Sequence, residues 1–166
     1  KFKPVAEFSV KVGWRNQYCG IESMELDGVT FYFIDNEFYF KRSDQPSIYG
    51  HGDDPERFAF FTNAVLAAIE KLNFYPDVMN LNDWHTGMIP LILKENYGHL
   101  RKYKNIKTVY TIHNLQYQGI FNKEILGNIF DLSYDYFNNG DIEFYGNVNF
   151  MKAGIVFADE VTTVSK

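Results

Sequence analysis

The stretch PDVMNLNDWHTG, residues 76–87, runs from an apolar segment directly into a carboxylate, an indole and an imidazole. A similar change occurs in KTVYTIHNLQYQG, residues 107–119, where an apolar segment ends in a histidine and an asparagine. Short apolar runs bounded by turn formers are typical of buried strands. Parallel strands of an open α/β sheet point the same way, and ligands bind beyond their carboxyl ends. The two segments therefore predict neighbouring parallel strands whose polar ends share one rim.

Helical and strand patterns alternate around these two segments. A helix is predicted to begin at Asp54, as the N-cap, with Pro55 in its first turn, and to end near Asn73. Three further helices and a last strand are predicted within 87–98, 123–130, 148–159 and 160–165. Strands that alternate with helices indicate an α/β fold, here a Rossmann-like parallel sheet with helices on both faces.

The N-terminal part has a different pattern. Residues 5–40 are predicted to form β structure, with two β-prone runs separated by Asp27-Gly28. An Asp-Gly pair favours a tight β-hairpin in which both central residues have positive φ. The polar stretch 41–55 predicts an exposed loop, and such loops often carry function. A β-hairpin is therefore expected in addition to the parallel sheet.

Composition excludes several classes of function. The chain of 166 residues fits one domain, and its net charge of −5 disfavours binding to nucleic acid. No apolar stretch approaches the roughly 20 residues that cross a bilayer, and the N-terminus lacks a secretory signal. The single cysteine, Cys19, allows no internal disulfide and favours a reducing compartment. We expect a cytoplasmic protein without a membrane partner.

The polar residues at the strand ends also have structural explanations. Asp83 or Thr86 could cap the following helix, Trp84 could cover the core, and a lone histidine is structural more often than catalytic. Two strand ends with matching chemistry favour a binding site instead. Carboxylate, imidazole, amide and indole groups can together hold the hydroxyls of a sugar and stack on its apolar face.

Other chemistries have weaker support in the sequence. No histidine pair has i, i+4 spacing and Cys19 is distant, so neither a metal nor another cofactor is expected. The motifs GxSxG, GxGxxG and GxxxxGK[ST] are absent. The missing glycine-rich turn also disfavours a Rossmann-like dinucleotide protein, which leaves a carbohydrate-binding α/β module without catalysis as the main alternative to an enzyme.

Three stretches, in this order and spacing, resemble the bacterial glycogen synthases and plant starch synthases. They are NDWHTG (82–87), TIHNLQYQGIF (111–121) and NFMKAGIVFADEVTTVS (149–165). SIYG followed by DDPERFAFFTNAVLAAI is also similar to that family, so the resemblance covers about residues 28–166. It implies a retaining glucosyltransferase of the two-domain GT-B type, which transfers glucose from ADP-glucose to the non-reducing end of an α-1,4-glucan without a metal.

The resemblance also implies roles for individual residues. His113 would contact the donor glucose near its 6-hydroxyl with Asn114 beside it, and Tyr49 would close over the sugar. The residues of the NDWHT stretch would line the cleft where glucan and donor meet. The predicted catalytic residues are His113 and Asp83, and the predicted substrate-binding residues are Tyr49, Trp84, His85 and Asn114.

Two parts of the family pattern have no counterpart here. The Lys-Thr-Gly-Gly-Leu run of the first strand-to-helix turn is missing, and so is the C-terminal nucleotide-binding domain that neutralises the diphosphate. Residues 1–166 are thus expected to be one partial N-terminal domain of a longer protein, with the missing domain, the glucan and the nucleotide sugar as partners. The chain alone is expected to transfer no glucose. The compartment would be the cytoplasm, or a plastid for a plant-type enzyme.

Overall fold

An antiparallel sheet forms the N-terminal part of the computed structural model, which describes residues 1–42 and 47–164. Its strands, in the order β1-β2-β3, are β1 (Lys3–Val12), β2 (Arg15–Leu26) and β3 (Val29–Asp35). The predicted hairpin is confirmed: Leu26 pairs with Val29, and φ is 52° at Asp27 and 79° at Gly28. The turn between β1 and β2, at Gly13 and Trp14, was not predicted.

Helix α1 (Glu37–Phe40) and the long helix α2 (Asp54–Lys71) follow the antiparallel sheet. The prediction of β structure as far as residue 40 is wrong for α1, because the Asn36 side chain accepts from the Tyr39 N–H and caps a helical turn there. The predicted start of α2 is correct within one residue, but the prediction that Asp54 is the N-cap is wrong. Asp53 occupies that position without a side-chain capping bond. Asp54 lies in the first turn and is buried, because its carboxylate pairs with Arg57. Of the predicted loop 41–55, residues 43–46 lie outside the described residues.

The rest of the chain alternates between short strands and helical segments. In chain order these are β4 (Val78–Asn82), a 3₁₀ turn (Trp84–Thr86), α3 (Ile89–Ile92), a π-helical turn (Leu93–Tyr97), β5 (Lys107–Ile112), β6 (Ile120–Asn122), a second π-helical turn (Leu126–Phe130), α4 (Asp135–Asn138), β7 (Glu143–Phe144), β8 (Asn147–Asn149), α5 (Phe150–Phe157) and β9 (Glu160–Thr163). Each helix and strand predicted after residue 76 has a counterpart, although Ser165 lies outside the described residues. The small antiparallel sheet β6-β8-β7 was not predicted.

The central parallel sheet has the strand order β4-β5-β9 in the part of the chain that the structure describes. β4 pairs directly with β5, with Leu81 opposite Tyr110 and Asn82 opposite Thr111. The strands of the stretches 76–87 and 107–119 are therefore parallel neighbours, and their carboxyl ends lie on the same edge of the sheet. The predicted α/β class with a Rossmann-like parallel sheet is confirmed.

One face of the parallel sheet packs into the core, where Tyr110 is fully buried. Helix α5 passes so close that a Cβ at Gly154 would lie 2.7 Å from the Tyr110 ring. The opposite face, which was predicted to carry helices too, holds the exposed Asn80. The amide oxygen of Asn80 accepts a hydrogen bond from the Thr111 hydroxyl at 3.0 Å, and that hydroxyl lies 2.8 Å from the hydroxyl of Thr162. These polar side chains satisfy one another, so this face tolerates water.

No helix in residues 1–42 and 47–164 combines the length and apolar character that crossing a bilayer demands.

Candidate functional site

The carboxyl ends of β4 and β5 are joined by the side chain of Asp83. Its Oδ1 accepts hydrogen bonds from the backbone N–H of His113 at 2.8 Å and of Asn114 at 3.3 Å. The backbone N–H of Asp83 in turn donates to the Thr111 carbonyl at 3.0 Å. The structure therefore brings residues 83–85 and 113–114 together, and Asp83 makes the connection.

Asp83 adopts an unusual backbone conformation, with φ 59° and ψ −179°. This region is populated almost only by glycine, and residues held there cluster at functional sites. Capping does not account for it, because the Asp83 side chain makes no capping bond to the 3₁₀ turn. Thr86 does not cap it either, since its hydroxyl donates to the carbonyls of Asn82 and Asp83. The conformation directs the carboxylate to the end of β5.

His113 is exposed at the rim, and its ring is held by Asn82, which was not among the predicted site residues. Nε2 lies 2.9 Å from the amide oxygen of Asn82. An amide oxygen only accepts, so Nε2 is the donor in this contact, and in the neutral ring Nδ1 is then the acceptor. The Asn114 side chain, also exposed, accepts from the Gln116 N–H at 2.9 Å and starts the following loop.

Trp84 lies in the core, with only 4% of its surface exposed. Its ring centroid is 4.9 Å from that of Phe58 and 5.7 Å from that of Phe121. A Cβ at Gly119 would lie 2.5 Å from the indole, so the backbone of the next loop passes directly against it. This burial matches the structural explanation given above, a residue that covers the core. Trp84 belongs to the lining of the site, but with His85 stacked on it and 4% of its surface exposed it has no open face for a sugar.

His85 is half-buried and stacks on Trp84, with 4.1 Å between the ring centroids and 29° between the planes. Burial lowers the pKa of His85 below its usual value, and the positive charge of Arg57 adds to this, while Asp83 and Asp54 act in the opposite direction. The lowered pKa favours the neutral ring. A neutral imidazole has one donor and one acceptor to offer to a hydroxyl group.

Tyr49 closes the site from the loop that precedes α2. Its ring centroid lies 5.0 Å from that of His85, 6.0 Å from that of Trp84 and 5.7 Å from that of Tyr117. All three contacts are edge-on, the favourable geometry for aromatic pairs. Tyr117, which belongs to the quoted stretch 107–119, was missed because aromatic residues of this chain are numerous and most were expected in the core.

Five of the six predicted residues line one small pocket of about 50 Å³; they are Tyr49, Asp83, Trp84, His85 and Asn114. His113 stands beside it on the rim. The same aromatic residues also border a wider cleft of about 790 Å³, walled by the loops 47–50 and 116–121. This volume falls within the roughly 300–1,000 Å³ typical of ligand sites. Gln116 and Gln118 add amide groups to the cleft wall.

A second large cavity, of about 500 Å³, lies between β3 and α2. Apolar side chains such as Phe40, Phe61 and Leu72 form its walls, and none of the described residues that line it is charged. It offers few groups that could hold sugar hydroxyls, so the cleft near Asp83 is the candidate site. Among the described residues, no three histidine, cysteine or acidic side chains are grouped so that they could hold a metal ion. The expectation that no metal takes part stays a prediction.

Comparison with known proteins shows which family the chain resembles. A family profile described as "Starch synthase catalytic domain" matches residues 1–166. The chain is 68% identical to a glycogen synthase of Clostridioides difficile over 99% of its length and 52% identical to one of Caldicellulosiruptor bescii over all of it. It covers 35% and 34% of those proteins, so it spans about a third of the length of the curated relatives it matches.

A solved structure supports the fold assignment. The catalytic domain of starch synthase IV from Arabidopsis thaliana, bound to ADP and acarbose, superposes with a TM-score of 0.85 at 24% identity. The superposition covers 99% of this chain and 34% of that one. The predicted resemblance is therefore confirmed over the whole chain, and the chain belongs to the starch synthase catalytic domain family, together with the bacterial glycogen synthases.

Proposed function

We propose that this chain forms the acceptor-side N-terminal part of a retaining glucosyltransferase that extends an α-1,4-glucan from ADP-glucose. The family and the glycogen synthase relatives support the reaction class. The observation that carries the proposal is the bridge from Asp83 to His113 and Asn114, which fixes polar groups from two strands at the mouth of one cleft. The ADP and acarbose of the plant neighbour are consistent with a nucleotide-sugar donor and a glucan-like ligand.

The polar groups at the rim suit the hydroxyls of a sugar. Nε2 of His113 is occupied by Asn82, so Nδ1 is the ring nitrogen that remains for a ligand. Asp83 uses Oδ1 for the two backbone N–H groups, and Oδ2 has no hydrogen-bond partner among the described residues. A carboxylate oxygen of this kind accepts readily from a hydroxyl. We assign donor-sugar contacts to His113 and Asp83, with Asn114 beside them.

The aromatic side chains define the shape of the small pocket. The ring of Tyr49 covers the small pocket and the neutral His85 lies beneath it, 5.0 Å away between centroids. We assign these two residues to sugar binding. Trp84 is assigned to the wall that supports His85, because its own faces are packed.

Transfer of glucose with retention requires stabilisation of an oxocarbenium-like centre and of a departing diphosphate. Electrostatic groups aimed at such charge usually supply the largest part of the catalysis. The rim described here offers no lysine or arginine among its lining residues. We therefore propose that the diphosphate is neutralised by a nucleotide-binding domain outside these 166 residues and that the chain alone transfers no glucose. The glucan, ADP-glucose and that domain are the proposed partners, no metal takes part, and the cytoplasm is the proposed compartment.

The test is the substitution His113→Ala in the longer protein that contains this chain. We expect kcat for ADP release, measured with ADP-glucose and glycogen, to fall by about 10²-fold or more, as for removal of a positioned polar group from an active site. His99→Ala, at an exposed histidine away from the cleft, is the control and should be neutral. Wild-type kinetics for His113→Ala would show that this histidine is structural. Glucan binding without any turnover by the longer protein would favour the carbohydrate-binding module instead.

A further inference from the structure

The loop that carries Tyr49 is bonded on both sides of this residue by buried charged groups. The carbonyl of Ile48 accepts a hydrogen bond from Nη2 of Arg57 at 2.9 Å. The N–H of Gly50 donates to Oδ2 of Asp54 at 2.5 Å. Only 2% of Arg57 and 4% of Asp54 is exposed. Two side chains from the first turn of α2 therefore fix the backbone immediately before and after Tyr49.

The two charged groups also hold each other. Nη1 of Arg57 lies 2.9 Å from Oδ1 of Asp54, and Nε of Arg57 donates to the Tyr39 carbonyl at 2.9 Å. A buried ion is tolerated only when it is paired and its remaining donors are satisfied. Each of the three guanidinium nitrogens of Arg57 makes one such bond. The planar fork of an arginine permits this, whereas a lysine could supply only a single charged point.

The local backbone depends on Gly50, whose φ is +97°, a conformation that residues with a side chain rarely adopt. The chain turns back at this residue toward α2. Tyr49, one residue before, consequently points its ring at His85 and Tyr117. The direction of the ring is thus set by the backbone, and the backbone is set by Arg57 and Asp54.

We propose that Arg57 and Asp54 are positioning residues that hold Tyr49 over the sugar pocket before any ligand arrives. The proposal rests on the proposed function only in assigning a glucan as the ligand. A loop that is ordered in advance avoids losing conformational freedom on binding, and this raises affinity. The clamp, meaning Arg57 with Asp54, is therefore expected to affect glucan affinity through Tyr49. Arg57 is not among the described residues that line the pocket or the cleft, and Asp54, which belongs to the cleft wall, is only 4% exposed.

The first test measures maltoheptaose affinity by calorimetry for the longer protein that contains this chain and for its Arg57→Lys variant. The substitution keeps the charge but loses the fork, and we expect affinity to fall roughly tenfold through loss of preorganisation. In a Tyr49→Ala background, Arg57→Lys should cause no further loss, because the clamp acts through Tyr49. Arg101→Lys, at an exposed arginine, is the matched control. Equal losses in both backgrounds would overturn the proposal.

The second test needs no sugar. Hydrogen exchange of the Gly50 amide, followed by NMR, should be slow in the wild-type chain and at least about tenfold faster in Asp54→Asn and Arg57→Lys, since each variant weakens the bond that protects this amide. Glu37→Gln, which removes an exposed carboxylate on α1, is the control. Unchanged exchange in both folded variants would refute the clamp. If the wild type binds no maltoheptaose, the proposed function fails, while the exchange data still decide whether the clamp exists.

Discussion

Asp83 allows a direct test of whether the site is built on backbone strain. Its φ of 59° with ψ −179° lies in a region that only glycine occupies readily, at a cost of about 1–3 kcal/mol for other residues. Asp83→Gly should relieve this cost, whereas Asp83→Ala should retain it. Both variants lose the carboxylate that accepts from the N–H groups of His113 and Asn114, a loss of about 1.5–3 kcal/mol for a charged acceptor.

The expected order of stability follows from these magnitudes. Elsewhere in a chain, glycine is less stable than alanine by roughly 0.5–1 kcal/mol because of its unfolded-state entropy. At residue 83 the relieved strain exceeds this penalty, so Asp83→Gly should be more stable than Asp83→Ala by about 1 kcal/mol. Asp83→Gly should therefore lie near the wild type or slightly below it, and Asp83→Ala clearly below both.

Urea denaturation monitored by circular dichroism gives the free energy of unfolding for each variant. The control pair is Asp77→Gly and Asp77→Ala, at an exposed aspartate with ordinary backbone angles, where alanine should be the more stable. If alanine equals or exceeds glycine at residue 83 as well, the backbone there is not strained. The functional role assigned to this conformation would then lose its support.

Two further predictions concern the supports of the site. Gly154→Ala places a methyl group 2.7 Å from the buried Tyr110 ring. The resulting overpacking of about 1–3 kcal/mol should outweigh the helix-propensity gain of up to about 1 kcal/mol, so denaturant unfolding should show a loss of stability. Gly127→Ala is the control and should show no loss, because the nearest atom to its Cβ lies at 3.6 Å. Folding lowers the pKa of His85 from 6.5. As the pH falls, the unfolded chain therefore takes up the proton before the folded chain does. The contribution of His85 to stability is fully present above about pH 6.5 and is lost below it. Unfolding free energies measured between about pH 7 and pH 5 should fall less steeply for His85→Gln, and an unchanged slope would contradict this assignment.

Much of the fold follows from local patterns that tertiary contacts do not override. Asp27-Gly28 predicted a hairpin correctly because the positive φ of both residues is a property of the turn itself. The parallel pairing of residues 78–82 with residues 107–112 was predictable because apolar strands separated by a helical segment have few other topologies. The shared rim is a consequence of that pairing.

The wrong prediction of Asp54 as the N-cap of α2 shows that neighbouring residues alone do not determine the role of a side chain. An acidic residue followed by proline at a helix start is a strong capping signal. The partner that overrides it, Arg57, is only three residues away, but the reason for their pairing is the loop that both must hold. The partners of these side chains are the carbonyl of Ile48 and the N–H of Gly50. Because every residue has the same backbone groups, the sequence does not indicate which of them a charged side chain will bind.

Trp84 and Asn82 illustrate a second limit, because the same short stretch contains residues with opposite roles. Along residues 82–85 the chain leaves the strand and enters a 3₁₀ turn, so the alternation of inward and outward side chains ends. Trp84 consequently turns into the core while Asn82 stays on the rim and holds the His113 ring. The unusual φ at Asp83, between them, is what reverses the direction. A residue type that stacks well on sugars is thus packed into the core, and an asparagine outside the predicted set occupies Nε2 of His113 and leaves Nδ1 for a ligand.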